Sequence, residues 1–116
     1  MNTKQLGDLG EAIAEKYLTN LGLIIISKNY RTKFGEVDLI MFDQSAKEVV
    51  FIEVKFRLTL KFGQPIEAVD KHKLKTLIRC AQYYMKLHYI SETAWRLDII
   101  AICKGRITHY KDVLAL

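Results

Sequence analysis

Glu36-Val37-Asp38-Leu39-Ile40-Met41, followed further on by Phe51-Ile52-Glu53-Val54-Lys55, decides how this chain is read. Val37, Leu39 and Met41 alternate with Glu36, Asp38 and Ile40. Val50, Ile52, Val54 and Phe56 alternate with Phe51, Glu53, Lys55 and Arg57. That period of two marks strands. The joint Asp43-Gln44-Ser45-Ala46-Lys47 is short and polar, so the two strands form a hairpin. A loop of Gln44 to Lys47 pairs Asp43 with Glu48. Counting outward then sets Asp38 opposite Glu53 and Glu36 opposite Lys55, with all four side chains on one face. Directly opposed Cβ atoms lie about 4.5–5.5 Å apart, and like charges there repel. Two facing carboxylates need a cation, a shared proton or escape into solvent. A loop one residue longer or shorter breaks this register.

Upstream, Leu23-Ile24-Ile25-Ile26 is an apolar, β-branched run that predicts a central strand. Lys28-Asn29-Tyr30-Arg31 continues it, and Thr32-Lys33-Phe34-Gly35 turns the chain into the hairpin. Gln5 to Leu21 predicts a helix with Leu6, Leu9, Ile13, Tyr17 and Leu21 as its apolar stripe, widened by Ala14 and Leu18. Gly22 stops it. Gly7 and Gly10 each cost about 0.8–1 kcal/mol in a helix. Both project near the stripe, where they allow close approach of a sheet or ligand. Glu11 sits at the edge of the buried face and Glu15 points further out. Taken alone, Glu11 reads as a solvated helix charge.

Downstream, Leu58 to Pro65 is a loop bordering the acids. Its Phe62, Gly63 and Gln64 are either substrate contacts or a plain connector. Asp70 suits an N-cap for a helix of about Lys71 to His88. Leu74, Leu77, Ile78, Ala81, Tyr84 and Met85 form its buried stripe. Its lysines crowd the N-terminal end, against the helix dipole, which points either to phosphate contact or to an ordinary charged face. Tyr83-Tyr84 reads as rim and core rather than a base-stacking platform. Trp95 to Cys103 is a strand, Lys104-Gly105 a tight turn, and Arg106 to Tyr110 a second strand. Asp98, a lone acid there, is expected to pair with Arg96 or another basic group. Helix, three strands, helix and two strands make an α/β sandwich with a mixed sheet.

At 116 residues, half of them hydrophobic and one of them proline, the chain is expected to form one domain, residues 1–116, with a real core. No apolar run approaches the roughly 18–20 residues that span a bilayer. The opening Met1-Asn2-Thr3-Lys4-Gln5 does not lead into a signal-peptide core. A cytoplasmic protein without membrane contact is expected. Cys80 and Cys103 read as free thiols. His72, His88 and His109 lack metal-ligand spacing. No glycine-rich phosphate loop is present. The net charge is +5. Residues 1–58 balance, and the excess lies wholly in residues 59–116, with ten Lys/Arg against five Asp/Glu. A basic half beside acidic residues suits a polyanionic partner, although a merely soluble basic surface has the same composition.

The ordered set Gly7-x-x-Gly10-Glu11, Asn29-Tyr30-Arg31, Gly35-Glu36-Val37-Asp38-Leu39-Ile40, Phe51-Ile52-Glu53-Val54-Lys55-x-Arg57 and Lys73 covers nearly the whole chain. It resembles the bacterial YraN-type family of the PD-(D/E)-x-K nuclease superfamily, which includes restriction enzymes and Holliday-junction resolvases. Val37 stands where the superfamily's name has proline. The resemblance implies a restriction-endonuclease-like three-layer sandwich. It implies a DNA endonuclease, acting on branched or damaged DNA, or alternatively a nucleic-acid-binding module on a nuclease fold with little or no activity. A Mg²⁺ or Mn²⁺ ion would be held by Asp38, Glu53 and the main-chain carbonyl of Val54, with Glu11 approaching directly or through water. Lys55 would orient or deprotonate the attacking water, or stabilise charge on the phosphate. Arg31, Arg57, Gln64, Lys71, Lys73, Lys75 and Arg79 would contact the nucleic acid. By analogy with resolvases, a homodimer is implied.

Overall fold

The computed structural model describes residues 1–57, 71–88, 90 and 93–115. Its elements are α1 (Thr3–Asn20), β1 (Leu23–Thr32), β2 (Gly35–Asp43), β3 (Glu48–Arg57), α2 (Lys71–Leu87), β4 (Ala94–Cys103) and β5 (Arg106–Tyr110). The expected loop at Leu58 to Pro65, including Gln64, lies outside the described residues, as do the Asp70 cap and Ser91-Glu92. Among the described residues, no helix is long and apolar enough to cross a membrane.

The strands form one mixed sheet in the order β1-β2-β3-β4-β5. Neighbours run antiparallel except β3 and β4, which are parallel. A parallel pair needs a crossover, and α2 lies within that connection. Along β3, Phe51 packs in one core cluster with Leu77, Ala81 and Tyr84 of α2. Val50 and Ile52 pack in another with Ala14 and Leu18 of α1. Because strand side chains alternate, the two helices cover opposite faces. The fold is mixed α/β, as the element order predicts.

Two expectations are corrected here. The run at Leu23–Ile26 is an edge strand, not a central one, and Ile24 and Ile26 remain 47% and 45% exposed. A register shift between Ile25 and Ser27 interrupts its pairing with β2. The central strand is β3, whose Val49-Val50-Phe51-Ile52 is buried throughout. Apolar composition is shared by both runs; cover on both faces is not. The second correction concerns α1, whose buried line is Gly10, Ala14 and Leu18, while Leu9 and Leu21 are exposed. A Cβ at Gly10 would lie 3.0 Å from Phe56 Cβ, so the small residues let the helix close on β3. At Gly7 a Cβ would meet nothing within 4 Å. Glu15 is half-buried and bonded to Lys28 at 2.9 Å.

Local chemistry explains the ends of these elements. Asn2 and Gln5 form a reciprocal capping box at the start of α1. Asp43 Oδ1 accepts hydrogen bonds from the N–H groups of Ser45 and Ala46, shaping the β2–β3 loop. Lys104 and Gly105 both have positive φ, 51° and 75°, as a two-residue hairpin requires. Cys80 is buried, Cys103 is half-buried, and both are free.

Gly35, with φ of 153°, brings β2 against α2: a Cβ there would lie 2.5 Å from Thr76 Cγ2. Gly35→Ala combines a strained backbone with a contact that must move. A loss of about 1–3 kcal/mol is expected in urea unfolding. A midpoint equal to that of the wild type would mean the turn relaxes freely.

At the β3 end marked by Glu48, the buried Arg96 binds Asp43, Glu48 and Asp98 at 2.9–3.1 Å. Asp98 is thus paired with Arg96 as expected. It also accepts hydrogen bonds from the Asp112 N–H and from His109 Nε2, at 2.9 and 2.8 Å. Burial works to raise the Asp98 carboxyl, but these bonds outweigh it and hold it below the ordinary range.

Candidate functional site

The other end of β3 carries the acids. The expected register holds over five pairs, from Asp43↔Glu48 to Leu39↔Ile52. The ladder then stops, one step short of Asp38 and Glu53. There Asp38 Oδ2 accepts a hydrogen bond from the Val54 N–H at 2.8 Å, in place of a backbone partner. Side-chain alternation also breaks at this point. Val37 joins the α2-side core and Leu39 the α1-side core. Between the β1 residues paired with Leu39 and Val37 lies Asn29, with φ of 52°. The expectation of a regular ladder through Asp38–Glu53 and Glu36–Lys55 is therefore corrected. Glu36 instead lies 3.7 Å from Arg31 on β1.

Where β2 and β3 cease to pair, groups from both faces meet. Glu11, Asp38, Glu53 and Lys55 line one cavity of about 280 Å³. Val54, Phe56 and Arg57 complete the strand side, and Thr3, Leu6 and Gly7 complete the helix side. Open space at Gly7 belongs to this opening; the close approach at Gly10 positions it.

The electrostatics are those of crowded acids. Burial, and then the neighbouring Glu53 charge, push the Asp38 carboxyl up to about 7, against the opposing hydrogen bond from Val54. Burial raises the Glu11 carboxyl, followed by the charges of Asp38 and Asp8, while a hydrogen bond with Asn29 lowers it. Glu53 is buried, and its Oε2 has no hydrogen-bond partner among the described residues. Lys73 Nζ approaches that oxygen to 3.3 Å as an ion pair. A buried carboxylate oxygen left without a hydrogen bond is a rarity that asks for a partner. Asp38 and Glu53 thus fit an oxygen-seeking divalent cation. Among the described residues, no three His, Cys, Asp or Glu side chains gather closely enough to hold an ion alone. The main-chain carbonyl of Val54 and water would have to complete such a site, with Glu11 further out.

The family model described as "Uncharacterised protein family UPF0102" matches residues 10–102, a span that takes in all four of these side chains. The chain belongs to the UPF0102 family. It is 41% identical to a UPF0102 protein of Clostridioides difficile, over 94% of this chain and 96% of that one. Against a UPF0102 protein of Shewanella sediminis the identity is 42%, over 87% and 84% of the two chains. Against one of Dictyoglomus turgidum it is 33%, over 96% and 95%.

In this UPF0102 chain the six basic residues expected to contact nucleic acid divide into three groups. Arg57 is exposed beside the cavity, and Lys71, Lys75 and Arg79 are exposed on α2. Arg31 is exposed and engaged with Glu36. Lys73 stands apart from the flanking lysines, because it reaches the acids themselves. That role had no local signal, since it depends on α2 docking beside Glu53. Asn29 was also missed as a partner of Glu11. The tolerance of asparagine for positive φ was the only sequence hint.

Proposed function

We propose that this chain is a divalent-metal-dependent endonuclease that hydrolyses DNA phosphodiester bonds on a restriction-endonuclease-like three-layer sandwich. The observation that carries the reading is the buried Glu53 Oε2, which among the described residues has no hydrogen-bond partner beside its ion pair with Lys73, close to a carboxyl, Asp38, that its surroundings hold far above its ordinary range. Such a pair is repulsive until a proton or cation is added. Asp38, Glu53 and the Val54 carbonyl would hold a magnesium or manganese ion, with Glu11 reaching it through water. When bound, such an ion polarises a phosphate and makes water more acidic.

The chain's own groups do the rest. Lys55, in the same cavity, offers its ammonium to phosphate oxygen as negative charge builds. Glu11, also lining the cavity and with its carboxyl raised, is placed to exchange a proton. Arg57, Lys71, Lys75 and Arg79 grip flanking phosphates without reading sequence. The resolvase resemblance favours branched or damaged DNA, a homodimer and a cytoplasmic setting.

A second reading is a nucleic-acid-binding module with little or no catalysis. It is favoured by the Lys73–Glu53 ion pair, through which the chain supplies a cation of its own. Linear, nicked, flapped and four-way DNA, incubated with Mn²⁺ or with chelator, separate the two. Cleavage is expected only with Mn²⁺, and Lys55→Met should slow it about 10²–10³-fold. Saturating Mn²⁺ at about a hundred times its Kd should stabilise the wild type by about 2.7 kcal/mol. Glu53→Gln should abolish that gain. No stabilisation by metal in the wild type leaves only the binding module.

A further inference from the structure

Away from the acids, the β1–β2 turn and α2 bring together Lys33, Phe34, Arg79 and Tyr83. The Lys33 ammonium lies 5.3 Å from the centroid of the Phe34 ring, and the Arg79 guanidinium carbon lies 4.7 Å from the same centroid. Tyr83 packs edge-to-face on Phe34 at 5.8 Å and stays 37% exposed. Among the described residues, neither Lys33 nor Arg79 has a carboxylate partner. A cation on an exposed ring gains little from that contact alone. Two exposed like charges gathered at one ring make a local positive patch that attracts an anion.

The cluster is held on a firm base. Thr32 Oγ1 accepts hydrogen bonds from the N–H groups of Phe34 and Gly35, at 2.9 and 3.2 Å, and touches Cys80 Sγ at 3.4 Å. Gly35 abuts Thr76. On α2, Lys73 meets Glu53 one turn before Thr76. Arg79 and Tyr83 follow along the same helix, about 9 and 15 Å beyond Lys73 at 1.5 Å per residue. One helix therefore leads from the acids to the cluster.

We propose that Lys33, Phe34, Arg79 and Tyr83 form a clip for a single-stranded stretch of nucleic acid. A phosphate is held by the Lys33 and Arg79 cations, and an unpaired base stacks on the exposed Tyr83, a role the sequence by itself did not suggest for this rim residue. Aromatic surfaces can take a base only where it is free of its own stack, which selects flaps, gaps and loose ends over intact duplex. The clip deepens the nuclease reading by naming the form of its substrate, and it rests on that reading for its polyanionic partner.

The test is fluorescence anisotropy in chelator, where cleavage plays no part, with a labelled single strand, the blunt duplex of equal length, and an acidic peptide. The single strand should bind tightest. Tyr83→Ala should weaken it about fivefold to a hundredfold, since one stacked base is worth about 1–3 kcal/mol. Tyr83→Phe should restore it, and thermal melts of both variants establish that they are folded. Lys33→Ala and Arg79→Ala together should flatten the salt dependence by about one phosphate's worth, roughly 0.7 in slope. Tighter binding of duplex or peptide overturns the clip, as does equal affinity in wild type and folded Tyr83→Ala. Strand binding through Tyr83 with no cleavage in Mn²⁺ overturns the nuclease reading alone. Cleavage in Mn²⁺ with strand binding indifferent to Tyr83 overturns the clip alone.

Discussion

Asp38→Asn is expected to make the metal-free protein more stable than wild type above pH 7, and to flatten its stability between pH 4 and 7. The folded Asp38 carboxyl titrates near 7, raised first by burial and then by Glu53. In the unfolded chain it titrates near 3.9. Between those values the folded state binds the extra proton. Wild-type stability therefore falls as pH rises from about 4 through about 7, by up to about 4 kcal/mol at 1.36 kcal/mol per unit. Below pH 4 both states are protonated and this penalty disappears. Asparagine keeps an oxygen for the Val54 N–H but carries no charge. Glu11, partly raised by Asp38, should relax in the same variant. Urea unfolding in chelator at pH 4.5, 6 and 8 measures the difference between the two proteins. Parallel profiles would mean that the acids at the end of the β2–β3 ladder do not repel.

Arg96→Leu should have the opposite sign and a similar size. Arg96 is 2% exposed and serves three carboxylates, among them Asp98 at 1%. Removing it leaves buried charge without its cation, which costs about 3–5 kcal/mol. Chemical denaturation at pH 7 reads that loss directly. Arg96→Lys should fall between, because an ammonium cannot reproduce the fork that reaches Asp43, Glu48 and both Asp98 oxygens. The deficit of Arg96→Leu should shrink on acidification, as the stranded carboxylates take up protons. A loss under 1 kcal/mol at pH 7 would show that His109 and the Asp112 N–H suffice for Asp98.

These two clusters bracket the same strand and differ in consequence. Around Arg96 the acids are matched by a cation and hydrogen bonds, and the Asp43 and Asp98 carboxyls are held low. Around Glu53 they are incompletely matched, and Asp38 is driven up. A fold that balances its buried charge so fully at one end has left the other in a state that suits a ligand.

Much of this organisation is already determined by the sequence alone, where the forces are local. The polar loop after Asp43 sets the hairpin register, and the predicted pairing runs as far as Leu39↔Ile52. The spacing of Leu77, Ala81, Tyr84 and Met85 marks the buried side of α2. Lys104-Gly105 supplies the positive φ of its turn. Tertiary structure alone decided the rest. Nothing in Leu23–Ile26 tells an edge strand from a central one, because that depends on which neighbours arrive. The face of α1 that turns inward was set by how closely Gly10 can meet Phe56. The end of the ladder at Asp38, the reach of Lys73 to Glu53, and the meeting of Lys33 and Arg79 over Phe34 all join residues far apart in the chain. Carboxyl shifts follow the same logic, since desolvation exists only once another element has covered the group.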